Sequence, residues 1–115
     1  MTGRKPEPAP QMSVARVLGA LADPTRRQVL EALAAHPAAS ASALARELPV
    51  SRQMVLKHLA VLQESGLVSS ARAGREVLFQ VRSSPLAETA EWLSSLAARW
   101  DSRLAALKAR AEGSE

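Results

Sequence analysis

Apolar residues recur along this chain in short bursts at helical spacing, broken once by an alternating stretch. From Ser13 to Ala22, Val14, Val17, Leu18 and Leu21 stand at i, i+3, i+4 and i+7, which predicts an amphipathic helix. Asp23-Pro24-Thr25-Arg26 then restarts the chain: Asp is a strong helix cap, and Pro is favoured at the first helical position. The second helix runs to about Ala35 with Val29, Leu30 and Leu33 inward, and His36-Pro37 ends it. Ser40 can cap a third helix through Leu44, Ala45 and Leu48, which Pro49 stops by removing an N–H and by disfavouring helical geometry before it. Ser51 can cap a fourth, with Val55, Leu59 and Leu62 inward, and Gly66 can end it in left-handed geometry. Two short helices meeting at a tight corner, over Ser40 to Leu67, form the helix-turn-helix pattern.

The period changes after that. Leu67 and Val68, then Val77, Phe79 and Val81, alternate on either side of Ala73-Gly74, which predicts a two-stranded hairpin with Gly74 supplying a positive φ at its turn. From Ser84, read as a cap with Pro85 at the first helical position, a last helix extends to about Glu112. Leu86, Leu93, Trp100 and Leu107 repeat there every seven residues, and Trp92, Leu96 and Leu104 widen the stripe. That helix is more apolar than a small domain can cover, and such stripes mark partner surfaces. The expectation is a homodimer interface, to which Val14, Val17 and Leu18 of the first helix contribute. A core helix within one subunit and a Trp-lined ligand pocket are the alternatives. The organisation expected is a disordered tail over 1–12, a helix-turn-helix domain over 13–83 and a dimerisation helix over 84–112. Within the domain the helix-turn-helix covers about 40–66 and the hairpin about 67–82. The fold class is mainly α with a small β-hairpin: a winged helix-turn-helix with long N- and C-terminal helices.

Composition narrows the chemistry. With 115 residues the chain is one domain plus short tails. It has no cysteine, which excludes disulfides, thiolate metal sites and a cysteine nucleophile. Net charge is +4, with 12 Arg against 3 Lys, and a basic balance favours a polyanionic partner. The same Arg and Ala excess also suits a GC-rich genome. No apolar run approaches the roughly 18–20 residues of a membrane span. Met1 to Gln11 is charged and Pro-rich without the apolar core of a secretory signal, so a cytoplasmic protein is expected. Pro6, Pro8 and Pro10 predict an extended tail there, with Arg4 and Lys5 either solvated or touching phosphates.

The fourth helix has a face its fold does not use. Opposite Val55, Leu59 and Leu62 lie Arg52, Gln53, Leu56, Lys57, Ala60 and Gln63, and no acid occurs between Ser51 and Glu64. The N-terminal residues of such a helix contact base edges when it enters the major groove. Arg and Lys suit guanine O6/N7, and Gln suits adenine N6/N7. A basic helix alone is usually a solvated surface, so the flanking elements decide. The hairpin that follows is placed as a wing, and Arg72 and Arg75 beside its tip suit the negative minor groove. Arg26 and Arg27, in the first turn of their helix, oppose its dipole and call for a phosphate or an acid neighbour.

Specific motifs carry a resemblance. ALADPTRRQVLEAL (20–33), LARELPVSRQMVLKHLAVLQESGLV (44–68) and AGREVLFQV (73–81) resemble the ArsR family of bacterial winged-helix repressors. The resemblance covers about residues 13 to 111. It implies a homodimer on an inverted-repeat promoter site that represses transcription, with double-stranded DNA as partner. Its recognition-helix signature places Ser51, Arg52, Gln53, Leu56, Lys57 and His58 at the DNA, with Arg72 and Arg75 in the wing. His58 falls on the motif histidine, which is not a metal ligand in the family. The long helix with Arg99-Trp100-Asp101 looks like a cysteine-less branch.

The departures are informative. Metal-sensing members carry a cysteine pair in the helix before the recognition helix, where this chain has Ala45-Arg46-Glu47; another family site uses Asp and His on the last helix, which here contains no histidine. No cofactor or metal is expected, and any small-molecule effector is unknown. Leu56 stands where the family often has Ser, and either meets a thymine methyl or redirects base preference. A winged-helix protein–protein module is the alternative function, which salt-insensitive binding would favour. No paired carboxylates in a cleft, metal cluster, phosphate loop or nucleophile–base pair points to an enzyme; Glu88 and Glu91 read as a solvated face.

Overall fold

A computed structural model describes residues 10–113, with side chains from Ser13 onward. Five helices and one hairpin follow in order: α1 (Pro10–Leu21), α2 (Pro24–Ala34), α3 (Ala41–Glu47), α4 (Arg52–Glu64), β1 (Val68–Ala73), β2 (Glu76–Val81) and α5 (Ser83–Gly113). The element order and type are those the periodicity predicts, and the fold is a winged helix-turn-helix.

The boundaries follow from local chemistry. Asp23 caps α2, its Oδ1 accepting from the N–H groups of Thr25 and Arg26 at 2.9 and 3.1 Å. Ser40 Oγ accepts from Ala43 N–H at 3.1 Å and Ser51 Oγ from Met54 N–H at 3.1 Å, so both helices of the corner start on a hydroxyl cap. Leu48, ahead of Pro49, is extended at φ −122° and ψ 149°, as a residue before proline prefers. The end of α4 is a Schellman motif: Gly66 at φ 82° lets Leu67 N–H reach Leu62 O at 2.9 Å and Gly66 N–H reach Gln63 O at 3.0 Å.

Two boundaries differ from expectation. Helix α1 begins at Pro10 rather than Ser13, because proline at a first helical position lacks only an N–H that would be unpaired anyway. The expected tail therefore ends before residue 10, and its remainder, with Arg4 and Lys5, lies outside the described residues. Helix α5 begins at Ser83, so Ser84 stands inside its first turn rather than at its cap.

One core holds the domain together. Val17, Val29, Leu33, Leu44, Val55, Leu59, Leu62 and Leu67 are fully buried, joined by Ala20, Leu30, Val68 and Phe79. Each such aliphatic side chain contributes about 1.5–3 kcal/mol. The hairpin pairs antiparallel from Val68↔Val81 to Ala73↔Glu76. A further bridge joins Ala39, between α2 and α3, to Phe79: their N–H and carbonyl groups exchange bonds of 3.0 and 2.8 Å. The base of the wing is thereby tied to the helix-turn-helix on its other edge. Of the three α1 residues expected at the dimer interface, Leu18 is exposed at 38%, while Val14 and Val17 are buried within this chain, because the inward side of α1 is covered by its own domain. Val77, placed inward by alternation, is exposed at 41%. Val77 sits opposite Arg72 near the hairpin tip, beyond the reach of the core.

Helix α5 packs on α1. Leu86 rests against the core, Thr89 is buried with its hydroxyl donating to Pro85 O at 2.8 Å, and Trp92 and Leu96 are half-buried. Beyond Leu96 the helix leaves the domain, and every described residue from 97 to 113 is exposed. The described chain spans 73 × 46 × 20 Å. Among the described residues, no helix is long and apolar enough to cross a membrane.

Candidate nucleic-acid interface

Helix α4 is held from behind. Val55, Leu59 and Leu62 are fully buried, and the helix packs on both α2 and α3. Its other face is open: Ser51, Arg52, Gln53, Lys57, Ala60 and Gln63 are all exposed. The structure thus brings Ser51, Arg52, Gln53 and Lys57 together on the face the sequence assigns them.

Two members of that set are placed differently. His58 is buried at 7% exposure, one position before Leu59 on the inward side, so it belongs to the packing behind the face. The sequence motif could not distinguish this, since at 3.6 residues per turn His58 lies at the border of the apolar stripe. Leu56, one residue and about 100° beyond Val55, is half-buried and packs against the edge of the core. Only part of it remains for a base.

Two serines that sequence reasoning missed hold the ends of α4. Arg52 Nε–H donates to Ser42 Oγ of α3 at 2.9 Å. Gln63 Nε2–H donates to Ser70 Oγ of β1 at 2.9 Å, linking the far end of the helix to the wing. Neither serine carries a periodic or motif signal; only the packing of α4 against α3 and β1 makes them neighbours.

In the wing, β1 and β2 are joined through Gly74-Arg75, with Gly74 at φ 64° and Arg75 at negative φ, the pattern of a type II′ turn. Arg72 and Arg75 are both exposed. Among the described residues Arg26 pairs with Asp23 at 3.8 Å, and His36 Nε2 shares a hydrogen bond with Glu47 Oε1 at 2.8 Å. Arg52, Lys57, Arg72 and Arg75 therefore pair with no carboxylate among the described residues.

Arg26 and Arg27 are explained by the fold. Arg26 Nη1 donates to Ala20 O at 3.1 Å and Arg27 Nη1 to Leu21 O at 2.6 Å, so both cap the negative C-terminal end of α1. Asp23 supplies the acid neighbour. Its carboxyl is held below the ordinary value of 3.8, first by the Arg26 N–H bond. Partial desolvation opposes that shift, while Thr25 N–H and the charges of His58 and Arg26 add to it.

Elsewhere an open groove of about 810 Å³ runs between α1, the end of α4 and α5, with Trp92, Arg16 and Arg82 among its walls. Among the described residues, no three His, Asp or Glu side chains cluster as a metal ion would need.

A capped helix-turn-helix with an exposed basic face, followed by a hairpin with arginines at its tip, defines the winged-helix class of DNA-binding proteins. The comparisons agree. A family described as a helix-turn-helix domain matches residues 21–71. The chain is 46% identical over 72 residues to the HTH-type transcriptional regulator Rv2034 of Mycobacterium tuberculosis, covering 63% of this chain and 66% of that one. It is 25% identical over 88 residues to the transcriptional repressor SdpR of Bacillus subtilis, covering 76% and 97%. An ArsR-like transcriptional regulator from Rhodococcus sp. RHA1 superposes with a TM-score of 0.81 at 45% identity, over 90% of this chain and 96% of that structure. The chain belongs to the ArsR family of DNA-binding transcriptional regulators, and its relatives have a regulatory rather than an enzymatic function.

Proposed function

We propose that the protein is a homodimeric repressor that binds an inverted-repeat operator and senses no metal. The observation that carries this is the division of α4: one face fully buried, the other presenting Arg52, Gln53 and Lys57 with no carboxylate among the described residues paired to them. The Gln53 and Lys57 side chains bond to no other described residue and that of Arg52 bonds only Ser42 Oγ, so donors are left over for a partner, and their chemistry is that of groove and phosphate contacts. Arg72 and Arg75 extend the contact along the wing. Residues 13–83 bind DNA and residues 84–112 pair two copies in the cytoplasm.

The dimer is supported by Leu93, Trp100, Leu104 and Leu107, which stay 46–56% exposed on a helix that has already left its own domain. Pairing would set two recognition helices about 34 Å apart, one turn of DNA. The relative named as a repressor supports that outcome of binding. The absence of cysteine, and of a metal-competent cluster among the described residues, favours control by something other than a metal. The groove beside Trp92 is where a small effector would first be sought.

The test is binding of the purified protein to its own upstream DNA and to scrambled DNA, at about 50 and 200 mM salt. Specific binding that weakens steeply with salt is the expected result. Binding that ignores both sequence and salt would point instead to a protein partner.

A further inference from the structure

We infer that Ser42 is a specificity-determining positioning residue: its hydroxyl sets which edge of the Arg52 guanidinium is offered to DNA. The inference rests on α4 being the DNA-contacting helix. Arg52 is the first residue of α4, and its Nε–H donates to Ser42 Oγ at 2.9 Å across the corner of the helix-turn-helix. A guanidinium carries five N–H donors in a rigid fork. With Nε held, the Nη1/Nη2 pair is left as the edge free for a bidentate acceptor such as guanine O6/N7.

Three features make this more than a surface contact. First, the acceptor stands on a fixed backbone: α3 is anchored by buried Ala41 and Leu44, on either side of half-buried Ser42. Secondly, the acceptor is neutral. A hydroxyl orients the side chain without cancelling its charge, whereas a carboxylate at the same place would compete with phosphate and base. Thirdly, the start of α4 is an unfavourable place for a cation, because the helix dipole is positive there. Helix stability therefore gives no reason for Arg52. Restraining it in advance removes rotamer freedom that would otherwise be lost on binding.

The experiment is a mutant cycle. An operator is selected from random DNA with the wild-type protein, and affinities for its single-base-pair variants are measured with Ser42→Ala, Ser42→Thr, Arg52→Ala and Ser42→Ala/Arg52→Ala. Thermal melting of each variant is recorded alongside. Arg52→Ala is expected to lose discrimination at one base pair per half-site. Ser42→Ala should reduce discrimination at that same pair by about threefold to tenfold, the net worth of one ordinary hydrogen bond. Ser42→Thr should restore it, and the double variant should match Arg52→Ala. If Ser42→Ala discriminates like wild type while Arg52→Ala does not, the inference is wrong and the reading of α4 stands. If Arg52→Ala binds every variant as wild type does, Arg52 reads no base, and the inference falls with that part of the reading. A Ser42→Ala effect that persists without Arg52, or a well-folded Ser42→Thr that restores nothing, also overturns it. Should Ser42→Thr melt early, the Ala cycle decides alone.

Discussion

Gln53 and Arg75 are both exposed and polar, yet in the proposed complex they stand on elements that would meet DNA differently. Gln53 lies near the start of the recognition helix, where an amide reads adenine. Gln53→Ala is expected to weaken operator binding by about 1–3 kcal/mol and to relax base preference at one position. Arg75→Ala should weaken binding to operator and scrambled DNA nearly alike and make the salt slope shallower by about one. Titration against single-base variants at two salt concentrations separates the two effects. Asp23 provides a pH test away from the interface. Its carboxyl pKa is lower in the fold than its ordinary 3.8, chiefly through the Arg26 N–H bond. Its contribution is present above that ordinary value and is lost as pH falls through the lower folded one. Asp23→Asn should therefore flatten the acid limb of stability below about pH 4, seen as a smaller difference in Tm between pH 5 and pH 3. His58 shows the limit of residue-level reading: its motif position groups it with the DNA contacts, and its burial at 7% removes it from them.

Elements were legible where their ends carry strong local chemistry. Asp23-Pro24, Ser40, Pro49, Ser51 and Gly66 each act within a few residues, and each does in the structure what its type dictates. Gly66 offers the sharpest test. A Cβ there would meet Pro85 Cγ at 3.7 Å, an ordinary contact, so the cost of a side chain is the left-handed backbone alone. Gly66→Ala is expected to destabilise the domain by about 1–2 kcal/mol without disturbing its packing, measured by denaturant unfolding with an unchanged m-value. The Ala39–Phe79 bridge was not legible. Ala39 is an isolated small residue between two helices, and its pairing depends on β2 arriving beside it from forty residues along the chain. Val77 failed for the complementary reason: alternation marks one face of a strand but not where the core beneath it ends.

At the scale of the whole molecule, the domain and the last helix behave as different solvents for the same residue types. Leu86 touches the core; Leu93, Trp100 and Leu107, on the same seven-residue repeat, do not, and neither does Leu104 beside them. If that stripe pairs two copies, Leu104→Asp with Leu107→Asp should yield a monomer by sedimentation. The winged helix should stay folded, because neither residue contributes to the core, with a Tm that no longer depends on protein concentration. Operator affinity should then fall by much more than a single contact is worth, since two half-sites no longer act together. A double variant that remains a dimer would place the interface elsewhere.

The chain by itself determined its helices, its corner, its hairpin and the basic face of α4, because caps, breakers and periodicity act over one or two turns. It also determined what chemistry was unavailable, through the lack of cysteine. Only tertiary structure decided that His58 faces inward, that Arg26 and Arg27 close α1, and that Ser42 and Ser70 hold the two ends of α4. Those outcomes depend on which elements become neighbours, and neighbours far apart in sequence leave no periodic trace in it.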